Sequence, residues 1–252
     1  MARGVTVKLV AIFCAAALMA VGVPAAAATD CEAPADVLRY RVLWGGDEVG
    51  SHELSFSREG DALRVRSRTD IDADMLLMDV LDLIHRGEEV WRANRMESYR
   101  GRTVDNGEVF EVSVEPEADG YRLTRNGRAS HIPTSAIPGS LWCETIIGPP
   151  GEGLVVDLVK GRLRQVRIGA PESFTLVREG RNLPGKRFRI SGGYDRELWF
   201  DESGIGLRAR FPAKMGPDVV LELQTPRRGS VVLPGSVDPM DAEVKDERGF
   251  GK

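Results

Sequence analysis

The chain has 252 residues, of which 42% are apolar and 29% charged, with 28 Gly and 14 Pro. That composition excludes a disordered, collagen-like or polytopic membrane chain. The formal net charge of -4 leaves no basic footprint for nucleic acid.

Arg3 and Lys8 precede an apolar run from Leu9 to Val23, followed by Pro24 and Ala25–Ala28. This is the charged head, apolar middle and small-residue end of a secretory signal peptide. The run of about fifteen residues falls short of the roughly 20 that span a bilayer as a helix. We expect cleavage after Ala28, and therefore export to the periplasm. The expected layout is a signal peptide over 1–28, one domain over 29–226 and a polar tail over 227–252. Neither Cys14 nor Cys31 has the preceding residues of a lipidation site, and no other stretch approaches membrane length.

Cys14 leaves with the signal, so the mature chain keeps Cys31 and Cys143. In an oxidising compartment the pair is read as a disulfide, with two free thiols as the alternative. Loop closure of that size contributes at most about 4–5 kcal/mol.

Leu38, Tyr40, Val42 and Trp44 alternate with polar residues up to the turn Gly45-Gly46, which leads into Glu48–Ser57. From Arg64 to Met75 the alternation is strict: Arg64, Arg66, Arg68, Asp70, Asp72 and Asp74 on one side, Val65 to Met75 on the other. Such a strand reaches roughly 40 Å, about twice the usual length. Met75–Ile84 fits either a strand apolar on both faces or a helix capped by Asp74 and stopped by Gly87; the strand is preferred.

Further alternating runs lie at Phe110–Glu115, Arg187–Ile190, Leu207–Phe211 and Val219–Leu223. Asn106-Gly107, Asn126-Gly127, Gly192-Gly193 and Asp201–Gly204 mark turns between strands. Ile132–Pro150, rich in proline, reads as a crossover with one short helix near Leu141–Ile147. The fold class is therefore all-β and mostly antiparallel. A curled meander sheet forms a barrel or half-barrel with at most one or two short helices.

The order of four motifs carries a resemblance. They are Tyr40-Arg-Val-Leu-Trp-Gly45-Gly46-Asp-Glu-Val-Gly50, His85-Arg-Gly-Glu-Glu-Val-Trp91, Thr103-Val-Asp-Asn-Gly107 and Tyr194-Asp-Arg-Glu-Leu-Trp199-Phe-Asp201-Glu-Ser-Gly204. Together they resemble an uncharacterised family of exported proteobacterial proteins defined only as a domain of unknown function. The resemblance implies a periplasmic β domain similar in outline to lipoprotein-carrier half-barrels, and it implies no activity.

Familiar catalytic and metal signatures are missing. His52-Glu53 starts like a zincin helix, but Phe56 stands where the second ligand belongs. Asp70, Asp72 and Asp74 start like a calcium loop, but Met75 replaces its glycine and Leu81 its closing glutamate. There is no G-x-S-x-G elbow and no phosphate loop. No catalytic residue, metal or cofactor is assigned.

Trp44, Trp91, Trp142 and Trp199, with Met75, Leu77 and Leu81, are the candidate ligand-binding residues. They would line the hollow side of the sheet around a lipid or acyl chain, and filling the core is their competing role. The preferred function is thus non-catalytic binding of a hydrophobic ligand. An envelope protein-interaction module with a filled core is one alternative. A hydrolase or isomerase is another, with His85 or His131 set beside a carboxylate in a cleft.

Overall fold

The alternation expected from the sequence is realised almost throughout. The structure, a computed structural model, describes residues 36–75, 78–178, 181–213 and 216–224, and all their side chains except those of 74–75, 78–80, 178 and 181. The signal segment with its cleavage point after Ala28, Cys31, Leu77, the tail over 227–252 and the side chain of Met75 thus lie outside the described residues.

In chain order the strands are β1 (Val37–Trp44), β2 (Asp47–Glu59), β3 (Ala62–Met75), β4 (Met78–Arg92), β5 (Arg95–Asp105), β6 (Glu108–Glu117), β7 (Gly120–Arg125) and β8 (Arg128–Pro133). After them come β9 (Ile137–Pro138), β10 (Gly151–Asp157), β11 (Arg162–Ile168), β12 (Glu172–Arg178), β13 (Arg181–Ser191), β14 (Arg196–Asp201), β15 (Gly206–Phe211) and β16 (Val219–Leu223). One turn of 3-10 helix, Glu144–Ile146, is the only helical element among the described residues. It falls within the segment expected to hold a short helix. The described residues of Met75–Ile84 are strand rather than helix: β3 runs to Met75 and β4 starts at Met78. Among the described residues no helix is long and apolar enough to cross a membrane.

All sixteen strands belong to one sheet. From β1 it runs outward through β2 to β8 on one side, and through β16, β15, β14, β13, β11 and β10 to β9 on the other, with β12 paired on β13. Every pairing is antiparallel except the short β9–β10 contact, Ile137 beside Val155.

The two ends of this path, β8 and β9, are joined by Thr134, Ser135 and Ala136 alone. So short a link between opposite edges forces the sheet to curl back on itself. The edges meet without pairing: the Ala136 N–H bonds the Pro133 carbonyl at 3.0 Å, and no β8–β9 ladder forms.

Turn chemistry fixes the register of the long hairpins. Asn106 and Gly107 adopt φ of 50° and 80°, the pair of left-handed residues that suits a two-residue hairpin. The β4–β5 turn uses Ala93 and Asn94 at φ of 45° and 60°, although alanine carries a Cβ penalty there. No turn signal in the sequence marks it.

The inner face gathers Leu38, Tyr40, Leu54, Phe56, Val65, Tyr99, Phe110, Val112 and Val114 from the first half of the chain. They pack with Val155, Val166, Phe188, Ile190, Leu198 and Phe200 from the second half. The outer face of β3 and β4 is ionic, as its sequence suggests. Arg64 and Arg66 both reach Glu88, and Arg68 and Arg86 both reach Asp70. Exposed pairs of this kind contribute about 0–1 kcal/mol each and keep the outer face wet.

Candidate functional site: an interior cavity with two buried polar clusters

The curl leaves a partly open cavity of about 340 Å³ on its inner side. Leu54, Ile71, Leu83, Leu198, Ala209 and Leu221 give it apolar walls. Trp44, Leu81 and Phe211 form one end, packed around Val42, Ile71 and Val219. The crossover after β9 closes part of the other wall with Gly139, Ser140 and Leu141. It is tied in place by Gly139, whose N–H bonds the Val156 carbonyl at 2.8 Å and whose carbonyl accepts the Tyr194 hydroxyl at 2.7 Å.

Cross-strand register builds the first polar cluster. His52 on β2 faces Thr69 on β3, Thr69 faces His85 on β4, and His85 faces Thr103 on β5. The result is an alternating His–Thr row across the inner face. His52 Nδ1 lies 2.8 Å from Thr69 Oγ1, and His85 Nδ1 lies 2.9 Å from Thr103 Oγ1. His85 Nε2 lies 3.2 Å from Ser67 Oγ. Burial disfavours the charged ring, pushing His52 from its ordinary 6.5 down to about 4 and His85 down to about 3.

The second cluster centres on Glu89, two inward positions further along β4 and only 2% exposed. Its Oε2 accepts the Trp91 indole N–H at 2.7 Å and the Ser140 hydroxyl at 3.1 Å. The Trp142 indole N–H is turned toward the same carboxyl without completing hydrogen-bond geometry. Burial raises the Glu89 carboxyl from 4.5 to about 7, although these three donors pull the other way. No cation pairs with it among the described residues.

Tyr99 spans the space between the clusters. Its ring folds over Gly101, where an added Cβ would stand 1.9 Å from the phenol oxygen. It also crowds Gly87, where a Cβ would meet the ring carbon Cε2 at 3.0 Å. The two glycines face each other across β4 and β5 and so make room for the ring. The Tyr99 hydroxyl donates to the Leu158 carbonyl at 3.0 Å, bridging opposite walls of the curl.

The residues singled out in the sequence divide among three places. Trp44 and Leu81 line the cavity. Trp91 and Trp142 are buried against each other and Phe56, with ring centroids 5.8 Å and 5.3 Å apart. Their rings are core packing, and Trp91 reaches the site only through its bond to Glu89. Trp199 stands on the outer face, between Arg187 and Arg208 in register, because the inward parity of β14 belongs to Leu198 and Phe200. Cys143 is buried beside Trp142.

Ser67, His85 Nε2 and Thr103 imitate a nucleophile, base and orienting group. A hydroxyl replaces the orienting carboxylate, and a ring held near 3 is a weak base at neutral pH. His131 Nδ1 lies 3.4 Å from Glu117 on the exposed β7–β8 edge. Glu89 itself has no motif to reveal it, since Glu88-Glu89 reads as a solvated pair until β4 is given its faces. Among the described residues no group of three or more His, Cys, Asp or Glu side chains is arranged to hold a metal ion.

Residues 40–224 match the family described as Domain of unknown function (DUF6134), and the chain belongs to that family. The fold is similar to that of the crystal structure of a β-barrel-like protein of the domain of unknown function DUF1849 from Brucella abortus. That similarity has a TM-score of 0.55 at 9% identity, covering 75% of this chain and 94% of that one. A DUF1089 family protein from Pseudomonas aeruginosa aligns with a TM-score of 0.39 at 12% identity, over 69% of this chain and 95% of that one. No curated protein matches the sequence.

Proposed function

For this member of a family without an assigned activity, we propose a non-catalytic role: an exported protein that holds a hydrophobic small molecule, of the lipid or acyl-chain class, inside its curled sheet. The observation that carries the reading is the apolar-walled cavity of about 340 Å³. It falls at the small end of the roughly 300–1,000 Å³ usual for ligand pockets. A docking module with a filled core would have no need of such a space. A hydrolase reading finds no carboxylate bonded to His85, and His131, which has Glu117 beside it, stands exposed on a sheet edge rather than in a cleft. The same proposal places the mature protein in the periplasm after cleavage following Ala28, with Cys31 bridged to Cys143.

The test is binding of a neutral hydrophobic fluorophore, N-phenylnaphthylamine, to delipidated protein. Saturable uptake is expected, together with a change in Trp44 emission. Ala209→Trp, which places a ring in the cavity, should abolish uptake without lowering the melting temperature. No saturable uptake, and no lipid carried through purification from the native envelope, would remove the reading. N-terminal sequencing of the exported protein and its non-reduced mass check the cleavage and the bridge.

A further inference from the structure

We propose that the cavity reads the polar end of its ligand at Glu89. The ligand is then an amphiphile whose head donates hydrogen bonds and carries no negative charge: a long-chain amine first, an alcohol second, a fatty acid last. This rests on the cavity being a ligand site.

Glu89 sits in a cross-strand row with Phe56, Val65, Tyr99 and Val114, all buried and none charged. Both of its bonded donors, Trp91 and Ser140, use the single oxygen Oε2. A glutamine carbonyl would serve those two donors equally well. The second oxygen is what distinguishes an acid from an amide. Oε1 makes no hydrogen bond of full geometry to the described residues, the Trp142 indole N–H being only turned toward the carboxyl, and Glu89 lines the cavity. A buried carboxyl without a cation is costly, and a donor or cation supplied by a ligand removes that cost.

The rest of the lining offers no free cation to an anionic head, and the unpaired indole N–H of Trp44 at the other, apolar end is a neutral donor. Lys160 is paired with Asp105. Arg196 is stacked over Tyr194 and Phe211, 4.1 Å and 4.5 Å from their centroids, and donates to the Asp195 carbonyl. His52 and His85 are held neutral by burial.

The titratable groups around Glu89 are also engaged elsewhere. Tyr99 donates to Leu158 and Tyr194 to Gly139, while Asp157 accepts the N–H groups of Val159 and Lys160. His85 is bonded to Ser67 and Thr103. Leu83 lies on the same inward face six residues before Glu89, roughly 20 Å along β4. A tail can therefore lie along the apolar wall while the head meets the carboxyl.

The experiment compares dodecylamine, dodecanol and dodecanoate as competitors of N-phenylnaphthylamine at pH 6 and pH 8. The amine is expected to compete at least tenfold better than the alcohol at pH 8, and the carboxylate at least tenfold worse. At pH 6, calorimetry of the amine in two buffers of different ionisation enthalpy should detect proton release as Glu89 ionises. Glu89→Gln should reduce the amine to the level of the alcohol while changing the alcohol by less than about threefold.

Equal competition by all three, or an amine preference unchanged in Glu89→Gln, overturns the head-group inference and leaves the cavity reading intact. No competition and no fluorophore uptake would sink both. Should Glu89→Gln fail to fold, the ranking of the three heads by the unaltered protein decides, with carboxylate binding as tight as amine binding counting against the proposal.

Discussion

The His–Thr row and the Glu89 cluster share one inner wall, and they solve the problem of buried polarity in opposite ways. Along the row each imidazole meets a hydroxyl and the rings stay neutral, with both nitrogens of His85 and the Nδ1 of His52 bonded to neighbours. At Glu89 two donors crowd onto one oxygen and no cation compensates the acid. A closed network specifies how strands align, whereas an open one retains binding capacity. Under the proposed function the row is structural and the carboxyl is the group that takes a partner.

The largest way to break this contrast is to collapse the space between the clusters. Gly101→Ala would force Tyr99 out of position, because the new Cβ falls 1.9 Å from its hydroxyl oxygen. We expect a loss of about 3 kcal/mol or more in denaturant unfolding, with the Leu158 bridge broken.

Of similar size is a pH effect. Glu89 is raised from 4.5 to about 7 in the folded protein. Its protonated form therefore contributes stability below pH 4.5, and that contribution is lost as pH rises toward 7. Glu89→Gln should accordingly gain about 3 kcal/mol on the unaltered protein between pH 4.5 and 7, and no more above it. A parallel pair of stability curves across that window would contradict the assignment.

The histidines carry the opposite sign. Their folded values of about 4 and about 3 lie below 6.5, so their contribution is complete above pH 6.5 and lost as pH falls. His85→Leu should flatten part of the acid limb. At neutral pH it should cost about 2 kcal/mol, since Thr103, 1% exposed, loses its partner.

The smallest effect lies outside both clusters and serves as their control. Replacing the strained Ala93-Asn94 turn with Asn-Gly should raise stability by about 1 kcal/mol without altering ligand competition or either pH slope.

What was legible in the sequence follows from physical range. The strict alternation of β3 needs only its own neighbours, and Asn106-Gly107 and Asn126-Gly127 turn the chain by their own conformational preferences. The two faces of β4 were not legible. Leu83, His85, Gly87, Glu89 and Trp91 face inward, yet Ile84 and Val90 on the other parity are as apolar, and Glu88 is as acidic as Glu89. Only pairing with β3 and β5 decides between them. Trp199 was misleading for a related reason: aromatic identity says nothing about side, and Leu198 and Phe200 claim the interior. The meeting of β8 with β9 depends on the cumulative twist of the entire sheet, so no local pattern announces it.

The place of β1 beside β16 has a kinetic consequence. Arg41 and Glu222, bonded across that pair, are 181 positions apart in the chain, so the centre of the sheet is zipped only when distant segments find each other. Relocating the termini to the Thr134–Ala136 link, and joining β16 to β1 by a short tether, would turn the same topology into a sequential walk from β9 to β8, with β12 alone set off the path beside β13. Such a circular permutant should reach its native state faster while retaining the same interior.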